Sequence, residues 1–268
     1  MRRRWPRFRW RVRSGPSGHS GPMAAAPPAR VVRARNDLGQ YDDLVDQWWQ
    51  PTGSFAALHW LARSRAHLVP PPPRGRVGVL ADLGCGGGLL APHLSGYRHL
   101  GVDLVRSALR QAAGAGVIPV NGDAGRLPLR TASVDVVAAG ELLEHVTDLP
   151  AVVAEIARVS LVTIGERMPG GPPPGIHDPA LFVPPERLQA EFARHQVSVR
   201  FRGLRPSARD YVRFLLGRQA EVRMLPTGTL AGVYQGVGHK EPVGDGHTEP
   251  EGDGHTRQSG SGYGEGVQ

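Results

Sequence analysis

Acidic side chains recur behind short apolar runs in the middle of this chain. Asp82 closes Val79-Leu80-Ala81 and opens Leu83-Gly84-Cys85-Gly86-Gly87-Gly88; Asp103 follows Leu100-Gly101-Val102. Asp123 comes shortly after Val117 to Val120, and Glu141 after Val134 to Ala139. Each run has the length of a buried strand, so an acid stands near each successive strand end. The glycines after Asp82 permit a tight turn and let the backbone approach a ligand with no Cβ between them. Asp103, about twenty residues beyond that turn, has the reach to accept hydrogen bonds from both hydroxyls of a ribose. These residue types at these spacings suit a nucleoside.

A glycine-rich turn alone is a weak signal, because dinucleotide enzymes carry a relative of it. Here the third glycine of the dinucleotide pattern comes one residue early, which disfavours a dehydrogenase. Acids or polar groups at four successive strand ends are instead the pattern of Rossmann-like S-adenosylmethionine (SAM) methyltransferases. The Asn/Asp-Pro-Pro-Tyr/Phe tetrad of amino methyltransferases is missing after the fourth run, where Gly140-Glu141-Leu142-Leu143 stands. That argues against methylation of nucleic-acid bases.

The elements that must position these residues follow from periodicity. From Val77 onward strands alternate with helices, which predicts an α/β fold with a parallel sheet covered on both faces. Helices are expected over Gly87–Ser95, Val105–Ala113, Asp148–Val159 and Ser207–Leu216. The third has a defined start: Thr147 or Asp148 can cap it, Pro150 suits its first turn, and Val152, Val153, Ile156 and Val159 form one apolar face. Val197–Phe201 and Thr229–Gln235 read as an antiparallel strand pair that closes the sheet. Ahead of the sheet, Tyr41, Leu44, Val45 and Trp48 share a helical face, and Pro51-Thr52-Gly53 ends that helix. A second helix from Ser54 to Leu68 presents Phe55, Leu58, Leu61 and Ala62, and Pro70 to Pro73 make a stiff spacer.

The 268 residues carry a net charge of +8, and its location decides its meaning. Residues 1–35 hold ten arginines and no acid, whereas residues 241–268 hold six acids against Arg257. The basic character therefore belongs to the arm and not to residues 36–240. The expected organisation is a disordered basic arm over 1–35, a domain over 36–240, and a disordered tail over 241–268 that repeats an octapeptide from Glu241 at Glu249. Met23 is an alternative start within the arm. Trp5, Phe8 and Trp10 interleave with its arginines, which keeps contact with nucleic acid or acidic lipid as a minor reading. No apolar run near 18 residues occurs, and the arm lacks the apolar stretch of a secretory signal. The single cysteine, Cys85, excludes an internal disulfide and a multi-cysteine zinc site; it reads as a small residue that fits the turn. The expected location is cytoplasmic.

Flanking segments narrow the class. Tyr41-Asp42-Asp43-Leu44 with Trp48-Trp49, Phe55-Ala56-Ala57-Leu58-His59, and Glu141-Leu142-Leu143-Glu144-His145-Val146 resemble the ubiquinone-biosynthesis O-methyltransferase family. So do His177-Asp178-Pro179-Ala180-Leu181-Phe182 with Pro185-Glu186-Arg187-Leu188, and more loosely Gly203-Leu204-Arg205-Pro206. The resemblance spans residues 38–238. It implies transfer of a methyl group from SAM to a hydroxyl of a phenolic or catechol small molecule, with peripheral membrane contact where that substrate is lipophilic. It places Asp82, Gly84, Gly86 and Gly88 at the methionine end of SAM, Asp103 at the ribose, and Asp123 with Ala124 at the adenine. Glu141 stands at the fourth strand end of the same SAM site.

The resemblance also implies a divalent cation, Mg²⁺, on Glu141, Glu144 and His145. A helical turn would set these i, i+3 and i+4 positions on one face, and two carboxylates with an imidazole suit that ion. The same Leu-Glu-His-Val occurs in methyltransferases that use no metal. No general base is identified by the residues alone; His145 and His177 are candidates by location.

One departure matters. After the helix ending near Val159, this fold has a Leu-x-Pro-Gly-Gly turn before its fifth strand, but here Arg158-Val159-Ser160 runs straight into Leu161-Val162-Thr163-Ile164. Either Leu161–Ile164 is an abbreviated fifth strand or part of the fifth-strand region is lacking, which would open the sheet. Two alternatives to the O-methyltransferase follow: a SAM-binding scaffold with impaired catalysis, and a nucleic-acid-associated methyltransferase using the arginine arm.

Overall fold

Buried strand residues that face alternately to either side split the core into two layers about one sheet. The computed structural model describes residues 33–160, 162–167, 178–227 and 233–240. The basic arm up to residue 32, His177, and the repeat-bearing tail from residue 241 lie outside them.

Five parallel strands come first in the sheet: β1 Gly78–Leu83, β2 Tyr97–Asp103, β3 Ile118–Asn121, β4 Val136–Gly140 and β5 Val162–Arg167. Three antiparallel strands extend it: β6 Val197–Pro206, β7 Met224–Thr227 and β8 Val233–Lys240. The order is β3-β2-β1-β4-β5-β8-β6-β7. The fifth strand is therefore present. It pairs with β4 on one side, Val137 opposite Thr163 to Gly140 opposite Glu166, and with β8 on the other. The sheet is continuous there, so the observation behind the impaired-scaffold alternative falls away.

Helices α1 Gly39–Asp43, α2 Ala56–Ala66, α3 Arg106–Gly114, α4 Leu149–Val159, α5 Pro185–Ala193 and α6 Ala208–Leu215 complete the described chain. Along β1 and β4, Ala81, Leu83, Val137 and Ala139 face a core with Val153, Ile156 and Val159 of α4 and Phe192 of α5. Their neighbours Leu80, Val136 and Ala138 face the other side, toward Leu90. This is the two-residue period of a sheet buried on both faces. Asp148 caps α4 as expected, its Oδ1 accepting the Ala151 N–H at 3.0 Å.

Two helical expectations are corrected. Gly87–Ser95 forms turns and one 3-10 turn at Ala91–His93, not an α-helix. Its glycines and Pro92 leave too few good helix formers. The N-terminal helix is also broken, into α1 and a 3-10 turn at Val45–Gln47. Helix α5 and strand β7 were not read from the sequence.

Candidate active site

Parallel strands aim all their carboxyl ends to one edge, and that edge carries the acids. β1 delivers the turn 84–88, β2 ends at Asp103, β3 leads to Gly122-Asp123-Ala124, and β4 leads to Glu141. A cavity of 430 Å³ opens there. Asp82, Gly84, Gly86, Asp103, Asp123, Ala124, Glu141 and His145 all line it. Gly88 and Glu144 do not. A Cβ on Gly88 would press on Ala112 and Val117 behind the turn, and Glu144 is fully buried.

Hydrogen bonds tie the turn to β2. Val102 O accepts the Gly84 N–H at 2.8 Å, and the Asp103 carboxylate accepts the Gly86 N–H at 2.9 Å and the Val105 N–H at 2.8 Å. Burial pushes the Asp103 carboxyl above the usual carboxylate range, opposed by those two backbone donors. Gly84, Gly86 and Gly88 all take positive φ, where a side chain is strained. At Gly86 a Cβ would also collide with the indole of Trp48.

Behind this turn Asp82 is buried and lies 3.3 Å from Nε2 of His99 on β2. Cys85 is buried against Gly101 and Val117. Burial first, then the carboxylates of Asp82 and Asp103, raise its thiol pKa far above normal, so it stays protonated. Asp123 shapes its own loop, Oδ1 accepting the Gly125 N–H at 2.8 Å.

The segment before the sheet forms the rest of the wall. Trp48 lies over Gly86 and Gly87 and stacks on Phe55 with centroids 4.2 Å apart. Asp42 of α1 accepts a hydrogen bond from Ser107 of α3, which holds this segment to the sheet. Tyr41 OH lies 3.3 Å from His145 Nε2. Asn36 reaches the same histidine twice, Nδ2 donating to its carbonyl at 2.8 Å and Oδ1 lying 2.7 Å from Nδ1. Burial pushes the Tyr41 hydroxyl far above the usual tyrosine range, and the carboxylates of Glu144, Asp103 and Glu141 add to this.

Arg65 of α2 also lines the cavity, buried at 6% exposure, with its guanidinium beside Gly140. Leu142 covers Gly84 from the β4 side. Arg65, Asn36, Trp48 and Leu142 were not singled out from the sequence as site residues. A signal existed for Arg65: it continues the apolar stripe Leu58, Leu61, Ala62 at helical spacing, and an arginine on a buried stripe needs a reason.

The expected cation site finds no support among the described residues. Residues 141–147 form turns rather than a helix, and Glu141 sits at φ 52°. The i, i+3, i+4 spacing therefore sets no common face. Among the described residues no group of three His, Cys, Asp or Glu side chains converges to hold a metal ion. The residues present do not fit Mg²⁺, and no chemical step is routed through one. His177, the second candidate base, lies outside the described residues.

The sequence matches the family described as Methyltransferase domain over residues 81–161. It is 33% identical over 192 residues to the ubiquinone biosynthesis O-methyltransferase of Ralstonia nicotianae, covering 59% of this chain and 78% of that protein. The namesake from Burkholderia pseudomallei is 30% identical over 231 residues, covering 71% of this chain and 94% of that protein. A SAM-dependent methyltransferase from Thermotoga maritima shares the fold with a TM-score of 0.54 at 14% identity, covering 76% of this chain and 98% of the other. A TehB-like SAM-dependent methyltransferase from Corynebacterium glutamicum does so with a TM-score of 0.52 at 14% identity, covering 76% and 100%. With this fold, and with relatives matched over most of their own length, the chain is a SAM-dependent methyltransferase that belongs to the ubiquinone-biosynthesis O-methyltransferase family.

Proposed function

We propose that the chain transfers the methyl group of SAM to a hydroxyl of a phenolic or catechol small molecule, with His145 as the base that takes the hydroxyl proton. The observation that carries this is the double grip of Asn36 on His145 at the wall of the cavity. Because Asn36 Nδ2 donates to a carbonyl, its Oδ1 is left as acceptor, and Nδ1 of His145 must carry the proton it receives. In that tautomer Nε2 is the accepting nitrogen, and Tyr41 OH, 3.3 Å away, is placed to donate to it. Tyr41 marks the place of a hydroxyl donor.

On this reading Asp103 accepts both ribose hydroxyls, Asp123 and Ala124 border the adenine, and Gly84 and Gly86 pass beside the methionine portion. Glu141, on the same wall, borders the cofactor where β4 ends. Arg65 is a buried cation on the cavity wall, and it suits the carboxylate of that methionine portion. SAM, when bound, supplies a methyl on a sulfonium that leaves as a neutral thioether, so no leaving-group acid is needed. The protein's work is to align acceptor oxygen, methyl carbon and sulfur, a term on the order of 7–11 kcal/mol in favourable cases. As the new O–C bond forms, His145 Nε2 takes the hydroxyl proton and becomes imidazolium. Residues 36–240 form the methyltransferase unit on this reading, and the arm and tail take no part in it.

The test is SAM titration into the full chain followed by turnover across matched panels of phenols, catechols and amines. Turnover confined to the hydroxyl acceptors supports the reading. Tight SAM binding with turnover only on amines contradicts it.

A further inference from the structure

One histidine sits on an otherwise apolar face of the sheet, behind the glycine turn. His99 of β2 is in register with Leu80 of β1, which is in register with Val136 of β4. Matched positions on adjacent strands share a face, and two residues further along β1 that face carries Asp82. Gly101, the register partner of Asp82 on β2, offers no side chain, and the space above it is filled by Cys85 and Val117. His99 is thus the polar neighbour that reaches Asp82 from β2, with Nε2 3.3 Å from Oδ2 and both side chains 5% exposed.

The pairing fixes the tautomer. A carboxylate only accepts, and Nδ1 of His99 has no hydrogen-bond partner among the described residues. A ring proton on Nδ1 would be buried without an acceptor and would leave Nε2 facing the carboxylate lone pair to lone pair, so the proton belongs on Nε2. Fold stability is a weak reason for such a pair, because well-packed apolar side chains serve a buried position as well or better. Its place suggests another reason. Asp82 lines the cavity, as Arg65 does, and its charge is among the causes that raise the Asp103 carboxyl across the turn. The methionine portion of SAM is a zwitterion. With Arg65 suited to its carboxylate and Asp103 to the ribose, the α-ammonium still needs an acceptor, and Asp82 stands where β1 enters the turn.

We propose that His99 is a positioning residue for the cofactor: its Nε2–H holds the Asp82 carboxylate in the orientation that accepts the α-ammonium of SAM. The proposal rests on the placement of the methionine portion beside Gly84 and Gly86, and not on the identity of the methyl acceptor.

The test is calorimetric titration of the full chain with two ligands, S-adenosylhomocysteine and its analogue with hydrogen in place of the α-amino group. The wild type should prefer the amino compound by about tenfold or more, as a hydrogen bond to a charged group provides. Asp82→Asn should abolish that preference. His99→Val should weaken the amino compound by about three- to tenfold, the size of a net hydrogen bond, and leave the deamino analogue within about twofold. His99→Gln, whose amide N–H can replace Nε2–H, should retain the preference. Asp103→Ala should weaken both ligands alike, which reports the nucleoside end separately. Nitrogen-15 NMR of the wild-type imidazoles, with His99 assigned by its loss in His99→Gln, should show it protonated at Nε2. Equal weakening of both ligands by His99→Val would make the residue structural and overturn the proposal, as would protonation at Nδ1 alone or equal losses in the Gln and Val variants. A preference abolished by Asp82→Asn but untouched by His99→Val would overturn the role of His99 and leave the placement of SAM standing. A preference kept in Asp82→Asn and lost in Glu141→Gln would give the ammonium to Glu141 and overturn both.

Discussion

Asn36 holds His145 at two points across 109 residues of sequence, its amide nitrogen on the backbone carbonyl at 2.8 Å and its amide oxygen 2.7 Å from Nδ1. A histidine so held has a defined ring orientation and tautomer, which is what a general base requires. The expectation is a steep loss for the ring and a shallow one for its holder. His145→Gln should lower kcat by about 10²- to 10⁴-fold. Asn36→Ala should lower it by about three- to tenfold, the worth of a net hydrogen bond or so. Neither should change SAM affinity much. Equal kcat in wild type and His145→Gln, with SAM saturating, would remove His145 from the chemistry.

Asp103 should make SAM binding sensitive to acid. Its folded pKa is raised by burial, so the apo protein holds a proton more readily than the unfolded chain does. The sign follows: the protonated form favours the apo fold, and that advantage is lost as pH rises through the raised value. Ribose hydroxyls need the carboxylate, so SAM affinity should fall as pH drops through the same value, above the usual aspartate range. Asp103→Ala should weaken SAM by about 1.5–3 kcal/mol at neutral pH, as hydrogen bonds to a charged group do. The mutant should also lack the acid limb when titrated by calorimetry at stepped pH.

Gly86→Val should be worse than Asp103→Ala, and for two reasons at one position. The backbone has φ 49°, unfavourable for a β-branched residue, and the new Cβ would meet Trp48. Displacing Trp48 unstacks Phe55 and loosens the segment that carries Tyr41. Thermal unfolding and SAM titration should both worsen. A variant with wild-type Tm and SAM affinity would mean that Trp48 does not cover the turn in solution.

Methyl transfer should be indifferent to chelator. Glu141, Glu144 and His145 lie in turns that set no common ligand face, and both ring nitrogens of His145 already have protein partners, Asn36 and Tyr41. Initial rates with EDTA and with added Mg²⁺ should agree. A rate abolished by EDTA and restored by Mg²⁺ would show that those side chains rearrange around an ion.

What was legible in the sequence was whatever depended on local pattern. β1, β2, β3 and β4 are apolar runs ending near acids, and because parallel strands point the same way, reading each strand end was enough to gather Asp82, Asp103, Asp123 and Glu141. The cap on α4 was legible for the same reason, since Asp148 and Pro150 act within one turn. The cation site lacks support because spacing implies a face only inside a helix, and residues 141–147 do not form one. Asn36 and Trp48 were missed because each acts across tertiary distance, whereas Arg65 carried a local signal in its place on the apolar stripe of α2. Nothing near Asn36 in sequence announces a partner at His145, and Trp48 reads equally well as core packing until Gly86 is found beneath it. The fifth strand was doubtful for want of its usual turn, yet pairing on both sides supplies what local sequence does not.

The central claim is that the methyl group of SAM is delivered to oxygen. The direct measurement is carbon-13 NMR of the product formed by the full chain from SAM labelled at its methyl carbon and a catechol acceptor bearing a prenyl chain. The account predicts one labelled methyl in an aryl methyl ether, formed at a rate that His145→Gln depresses. Label on nitrogen or ring carbon, or no label transferred across the catechol panel by a chain saturated with SAM, would contradict it.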